Sequence, residues 1–514
     1  MRRPGDDRSV SRTERGGCAR RPSWVKVCRA MNDSALEAAI APLAAAHPGC
    51  SGIHPLPDGL DAFAARMLLA RAAERTLDVQ YYIWDDDKTG TLLFNALRAA
   101  ADRGVRVRLL LDDHNTVGLD EKLAELDTHP NLEVRLFNPL RIRRPRWINY
   151  LIDFTRVNRR MHNKSFTADA VATIVGGRNV ADKYFDATDE IVFADLDVLA
   201  VGPVARDVAT DFERYWNSVS ACPARRLIPR LTDARCAELA AQAAALERSP
   251  AVAAYMRAVH ELAPLRQLLQ GQLALEWAPV HVLSDDPAKA RGRARRRQQM
   301  SFRLDAIVGD SVASFDLVSA YFVPTARGVE ALAQLARRGV TIRVLTNSLA
   351  ATDVAAVHAG YAKRRKPLLR AGIELLEWRL APQTPRIRKR VGLGSGSGGS
   401  TGKSSAASLH AKTFSVDRRS VFIGSFNFDP RSARLNTELG VIIDSPALAC
   451  RIAAGISEHL AQTAWTVSLS PNGALRWRGE RDGQPEQHDV EPQTRLYQRA
   501  GVWLLSLLPI EWLL

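Results

Sequence analysis

The sequence predicts an α/β protein built from two pseudo-symmetric domains. Each is a mixed, largely parallel β-sheet flanked by helices, and the two share one active site. Two observations carry this reading. A strand, helix and strand cassette occurs as LDVQYYIW, LLFNALRAAADRG and VRVRLLLDD, and again as FDLVSAYFVP, VEALAQLARRG and VTIRVLTNS. A polar motif containing His, Lys, Asp, Gly and Asn at matching spacings also occurs twice, once after each cassette.

The elements follow in order. Residues 1–30 carry nine Lys and Arg against three Asp and Glu. They lack the apolar core of a signal peptide, so they read as a disordered basic extension or as a mis-annotated start with Met31 as the true first residue. The first domain is expected over 31–220. It opens with an Ala/Leu-rich helix over Ala35 to Ala46 and a Pro/Gly stretch, then LDAFAARMLLARAAERT, which is apolar at helical spacing. Gly104 ends the cassette helix, where left-handed backbone suits a helix terminus. A helix between two strands brings the chain back in the same direction and so implies a parallel pair.

Residues 221–300 read as a helical linker followed by a basic loop with Arg291, Arg293, Arg295, Arg296 and Arg297. The second domain is expected over 301–465, with Gly339 standing where Gly104 stood. Setting YYIW on YFVP pairs Tyr81 with Tyr321 near equivalent strand ends, and Asp112 pairs with Asn347; strand ends are where open α/β sheets place ligands. HAGYAKRRKPLLR is expected to be helical before Pro367, with His358 structural. Residues Arg386 to Ser405 become Gly/Ser-rich, a composition that stays flexible. The segment 466–514 ends in VWLLSLLPIEWLL, whose 13 residues are too few to span a bilayer. That tail either lies in a membrane interface or packs on the body.

The motif copies are RMHNKSFTADAVATIVGGRN, from Arg160, and SLHAKTFSVDRRSVFIGSFNFDPR, from Ser408. They align His162 with His410, Lys164 with Lys412, Asp169 with Asp417, Gly176 with Gly424 and Asn179 with Asn427. Residues two apart on a strand share a face, so each His and Lys point together. A turn and a return strand then make a hairpin that ends at small residues followed by Asn. A neutral imidazole can attack phosphorus and a protonated one can release a proton to a leaving alkoxide. Two lysines and two asparagines would gather around phosphoryl oxygens with no metal and no cofactor. Each copy holds half of such a site, so the copies are expected to meet. The six cysteines show neither metal-ligand spacing nor a disulfide framework, which fits a reducing compartment.

These paired motifs resemble those of the phospholipase D superfamily. The runs LDVQYYIW, GVRVRLLLDD, RRMHNKSFT, LTNSLAATDVAAVHAGYAKRRK, SLHAKTFS and GSFNFDPRSARLNTELG are most similar to the bacterial cardiolipin synthases of the C type. The resemblance implies two phospholipase D-like domains and a catalytic set of His162, Lys164, Asp169, His410, Lys412 and Asp417. One His becomes a phosphohistidine and the other acts as acid and then base; His162 is taken as the nucleophile, though pseudo-symmetry allows the exchange. Asp169 and Asp417 are expected to bind hairpin backbone rather than substrate. Supporting residues are Asn179, Asn427, Gly177 and Ser425, with Asp195 in FADLDV and Glu438 in LNTELG placed behind the histidines. A carboxylate there fixes the imidazole tautomer.

The implied reaction transfers a phosphatidyl group from phosphatidylethanolamine or phosphatidylglycerol to phosphatidylglycerol. Hydrolysis to phosphatidic acid is the alternative within the fold, and a nuclease or other phosphodiesterase the alternative outside lipids. The formal charge is +15, or +9 without residues 1–30, and favours an anionic partner. The expected partners are the two phospholipids and an anionic membrane surface, with nucleic acid disfavoured and a protein partner left open. No apolar run reaches the roughly 18 residues of a membrane span, so attachment is expected to be peripheral, at the cytoplasmic face of the inner membrane. In RIRRPRWINYLIDFTRVNRR, Arg141, Arg143, Arg144 and Arg146 precede Trp147, Tyr150 and Phe154. That composition suits a headgroup layer, base stacking or a solvated loop.

Overall fold

The structure, a computed structural model, describes residues 34–188, 192–261, 272–380, 407–458, 463–481, 483–509 and 511–513. The basic N-terminal segment and the Gly/Ser-rich connection lie outside the described residues.

Ten strands precede residue 279: β1 (Ser51–Leu56), β2 (Thr76–Tyr81), β3 (Arg106–Asp112), β4 (Leu132–Phe137), β5 (Ser165–Ala168), β6 (Ala172–Gly176), β7 (Val192–Ala194), β8 (Asp197–Val201), β9 (Ala221–Pro223) and β10 (Glu276–Ala278). All but β7 form one sheet, in the order β10-β1-β8-β6-β5-β2-β3-β4-β9. The second half supplies β11 (Val280–Ser284), β12 (Ser314–Ser319), β13 (Thr341–Asn347), β14 (Glu374–Trp378), β15 (Ala407–Leu409), β16 (Lys412–Val416), β17 (Ser420–Gly424), β18 (Leu439–Asp444), β19 (Ala464–Leu469), β20 (Leu475–Arg481) and β21 (Gln484–His488). All but β15 form the second sheet, in the order β11-β18-β17-β16-β12-β13-β14-β19-β20-β21.

The mixed α/β architecture and its duplication are as expected, but within the two sheets parallel pairing is confined to β2-β3-β4 and β12-β13-β14. Connections containing helices, such as Lys88–Asp102 between β2 and β3, permit those pairs. The motif hairpins turn too tightly for anything but antiparallel pairing. Asp169 and Ala170 have φ of 53° and 56°, and Asp417 and Arg418 have φ of 53° and 52°. Two consecutive left-handed residues match the strand twist in a tight hairpin. Both copies therefore make the same turn.

Register corrects one pairing. Leu77 lies opposite Ala168 and Phe315 opposite Val416, while Trp84 and Phe322 bridge Val180 and Phe428. Tyr81 thus corresponds to Ser319, and Tyr321 to Ile83; aligning the aromatic runs slipped the strands by two residues. Asp112 and Asn347 do correspond, each ending the next strand.

The expected linker is more than a tether. It contains the helices Asp233–Glu247 and Pro250–Glu261, yet β9 and β10 join the first sheet and β11 the second. The C-terminal segment likewise extends the second sheet with β20 and β21. Pro367 sits within a helix, Arg365–Arg370, that follows Ala355–Ala362 after a break. His358 is buried against Arg365 and Glu491, as a structural residue.

The halves are fused by apolar packing. Ile53, Val175 and Val198 of the first sheet share one buried cluster with Val421, Ile423 and Val441 of the second. Burying each such side chain favours association by about 1.5–3 kcal/mol. Polar backbone stitches the same seam closer to the motifs: β7 pairs in parallel with β15, and Met161 bridges Thr437.

Candidate active site

Each motif histidine is held by the opposite half. The His162 backbone N–H donates to the Thr437 carbonyl at 2.8 Å, and that of His410 to the Ala194 carbonyl at 2.7 Å. The side chains cross over in the same sense. His162 Nδ1 lies 2.8 Å from Glu438 Oε2, and His410 Nδ1 lies 2.5 Å from Asp195 Oδ2. A neutral imidazole that donates through Nδ1 keeps its lone pair on Nε2. Both rings are therefore prepared as Nε2 bases by a carboxylate from across the seam.

Burial sets their charge. It pushes both imidazoles down to about 4, against the opposing pull of Glu438 on His162 and of Asp195 on His410. Both are neutral at pH 7. Burial also lowers Lys164, to about 7, and lowers Lys412, with each lysine adding to the depression of the neighbouring histidines. For Asp195 and Glu438 burial acts upward, but Lys412 with His410, and His162 with Lys164, hold the carboxyls below their usual range. The carboxylates stay ionised as the imidazoles gain and lose protons.

The lysines differ between halves. Lys164 Nζ donates to the His162 carbonyl at 2.6 Å. Lys412 Nζ bonds the His410 carbonyl and also lies 2.9 Å from its Nδ1 and 3.3 Å from its Nε2. A cation beside the ring weakens it as a base. The pseudo-symmetric site is chemically uneven.

The small residues differ for a related reason. A Cβ on Gly177 would meet Asp195 Oδ1 at 2.2 Å, so only glycine leaves room for that carboxylate. At the matching position Ser425 donates its hydroxyl to Glu438 Oε2. Asn179 accepts from the Ile83 N–H at 3.2 Å and donates to the Tyr184 hydroxyl at 2.9 Å. Asn427 is buried with its Oδ1 unpaired. Asp169 and Asp417 stand at the far ends of β5 and β16 from the histidines. Asp169 accepts from the N–H groups of Glu74, Arg75 and Thr76, and Asp417 from those of Val312, Ala313 and Ser314. Each pins its hairpin to the start of a central strand.

Asp112 and Asn347 act one residue upstream of the histidines. Asp112 Oδ2 accepts from the Met161 N–H at 2.8 Å, and Asn347 Oδ1 from the Leu409 N–H at 3.1 Å. Burial raises Asp112 to about 6 in spite of Arg160, which sits 3.0 Å away.

Three aromatics pack on the histidines without a sequence signal of their own, Phe193 lying tilted 5.0 Å from His410. Tyr82 meets His162 edge-on at 4.9 Å, and Tyr184 meets His410 edge-on at 5.0 Å. Register alone would have found Tyr82, one residue beyond β2. In the Arg-rich loop, Arg143 pairs with Asp113 and Asp120, and Arg146 with Asp120. Those two arginines brace the loop. Among the described residues no cluster of His, Cys, Asp and Glu is arranged to hold a metal ion.

Two α/β halves that each present a His-x-Lys strand to a shared seam, with the imidazoles poised as Nε2 bases, define a phospholipase D-like protein. Residues 67–216 and 306–460 both match the family described as cardiolipin synthase, PLD-like domain. The chain belongs to that family. It is 49% identical over 480 residues to cardiolipin synthase C of Escherichia coli (strain K12), covering 93% of this chain and 99% of the relative. Cardiolipin synthase B of the same strain is 26% identical over 391 residues, 76% of each chain. The fold is shared with the crystal structure of a phosphatidylserine synthase from Haemophilus influenzae Rd KW20, at a TM-score of 0.53 and 14% identity, over 84% of this chain and 92% of that one.

Proposed function

We propose that the protein is a cardiolipin synthase, a phosphatidyltransferase acting through a phosphohistidine. The crossed histidine–carboxylate pairs carry this reading, because they bring to one seam between the halves two imidazoles, each with a carboxylate on Nδ1 and Nε2 left for chemistry. His162 Nε2 attacks the phosphorus of the donor phospholipid, forming a P–N bond as the P–O bond to the headgroup breaks. His410 gives its Nε2 proton to the departing alkoxide. The neutral His410 then takes a proton from a glycerol hydroxyl of phosphatidylglycerol, whose oxygen attacks phosphorus and releases His162. Cardiolipin and the donor's free alcohol are the products.

The Lys412 ammonium beside the His410 ring supports this division of roles, since it weakens His410 as a nucleophile and strengthens it as an acid. His410 needs its proton before the first step although burial disfavours it. The bound phosphodiester anion supplies the opposing charge that raises its pKa. Lys164, Lys412, Asn179 and Asn427 are assigned to the phosphoryl oxygens. Phosphatidylethanolamine and phosphatidylglycerol are the donor candidates. The protein is assigned peripherally to the cytoplasmic face of the inner membrane; no helix among the described residues is long and apolar enough to cross it.

The test is lipid mass spectrometry after incubation with phosphatidylglycerol vesicles, with and without phosphatidylethanolamine. Cardiolipin with released ethanolamine identifies the ethanolamine lipid as donor, and cardiolipin with glycerol identifies phosphatidylglycerol. Phosphatidic acid alone would make the protein a hydrolase. His162→Ala and His410→Ala should each abolish transfer; substantial residual transfer by either would refute a shared site.

A further inference from the structure

Among the described residues, eleven of the sixteen large apolar side chains left exposed fall in two short segments far apart in sequence, 147–154 and 496–512. The first is a pair of short helices, Ile148–Ile152 and Phe154–Val157, lying four residues before the first motif histidine. Trp147, Leu151 and Ile152 point outward there, Leu151 at 74% exposure. The second is the helix Leu496–Leu507 with the turn Glu511–Leu513. Its inner face places Val502 and Leu505 against Leu349 and Ala359, while Trp503, Leu504 and Leu507 remain outside. A helix apolar on both faces is normally covered on both.

Arg431 bridges the residue that follows the first pair of helices and the turn at the end of the second segment. Arg431 donates through Nε to the Leu513 carbonyl at 3.1 Å, and through its guanidinium nitrogens to the Asn158 carbonyl at 3.1 Å and the Asn158 side-chain oxygen at 2.6 Å. Its charge also acts on Tyr82, whose ring touches His162. The apolar surface therefore borders the catalytic seam. Arg141 and Arg144 are exposed in the loop that leads into the exposed Trp147, a composition that suits cations at headgroup level and a ring at the acyl boundary.

We infer that these segments form one surface that docks on an anionic lipid bilayer and presents the catalytic seam to it. The choice of a bilayer over another apolar partner rests on the lipid reading of the site and on the flanking arginines. Docking of this kind lets a diacyl substrate enter the seam without leaving the bilayer.

The experiment is co-sedimentation of the full chain with vesicles of phosphatidylglycerol and phosphatidylethanolamine, and with phosphatidylcholine vesicles. It compares Trp503→Glu/Leu507→Glu, Trp147→Glu/Leu151→Glu and, as an exposed apolar control elsewhere, Val219→Glu. Each double variant should bind the anionic vesicles at least tenfold more weakly, the control should not, and added salt should weaken the wild type. All three should turn over monomeric dihexanoyl-phosphatidylglycerol, supplied together with dihexanoyl-phosphatidylethanolamine, at the wild-type rate. Unchanged vesicle binding by both double variants would overturn the inference, as would a wild-type dimer in sedimentation velocity that these substitutions dissociate. Loss of vesicle binding with no wild-type turnover of monomeric lipid would uphold the surface and count against the proposed reaction instead.

Discussion

Asp195 belongs to the first half of the chain, and the imidazole it binds, His410, belongs to the second. Glu438 returns the relationship to His162. Neither half contains a motif histidine with its own orienting acid, so the proposed catalytic unit is the seam and not the domain. This explains why β7 and β15 are present at all: three residues each, they are too short to stabilise much, but they hold Ala194 and Leu409 in register immediately beside Asp195 and His410.

Exchange of the acids should therefore register on the other half. Asp195→Asn is expected to disturb the tautomer and titration of His410 and leave those of His162 largely intact, and Glu438→Gln the reverse. Ring-nitrogen chemical shifts of labelled histidine, assigned through the single alanine variants, read this directly. Each change should lower turnover by about 10–100-fold. A response of His162 to Asp195→Asn would contradict the crossed arrangement.

Gly177→Ala offers a sharper steric test. Its backbone conformation is open to alanine, but the new methyl would fall 2.2 Å from Asp195 Oδ1. The carboxylate must move, and His410 with it. Turnover should fall by about 10–100-fold with little change in melting temperature, whereas Ser425→Ala only removes a hydroxyl donor from Glu438 and should cost less. Equal effects would mean that the two positions are not specialised for their different acids.

Much of this was legible because the chain states its motif twice. Duplication located the histidines, the lysines and the glycine-or-serine position, each by a match in register, while Asp195 and Glu438 came from the family resemblance. It could not reveal the crossing, since equivalence between copies is silent on which copy's acid reaches which histidine. It also misled at Tyr81 and Tyr321, where two aromatic runs look alike and only hydrogen-bond register separates them by two residues. The strands β9, β10 and β11 are three to five residues long, too short for an alternating pattern to stand out beside the helices of the linker. Composition could not show that Arg143 and Arg146 are paired, because their partners, Asp113 and Asp120, lie more than twenty residues earlier.

Asp112 tests positioning separately from chemistry. Its carboxylate holds the Met161 N–H and pairs with the buried Arg160. Removing one partner of a buried ion pair costs about 3–5 kcal/mol, so Asp112→Ala should lower unfolding stability by that order and reduce turnover as well. Asp112→Asn keeps an acceptor for Met161, as Asn347 does for Leu409, and should retain more of both. Denaturant unfolding alongside steady-state kinetics separates the two; identical losses in both variants would remove Asp112 from any role in setting the histidine backbone.

The pH dependence should run opposite to that of an ordinary histidine base. With both imidazoles near 4 in the free enzyme, the form carrying one proton on His410 and none on His162 is a minor species at neutral pH. Above the imidazole pKa values its share falls about tenfold per pH unit. Log(kcat/KM) should accordingly decline from about pH 5 upward with a slope near −1, steepening above about pH 7 as Lys164, pushed down to about 7, loses its charge. Because the bound phosphodiester raises the pKa of His410, binding should take up close to one proton. Calorimetry with dihexanoyl-phosphatidylglycerol in buffers of different ionisation enthalpy measures that uptake, on an enzyme slowed by Lys164→Arg if turnover intrudes. A kcat/KM that rises through pH 6–7, or binding without proton uptake, would show that His410 already carries its proton in the free enzyme and that burial does not control the site.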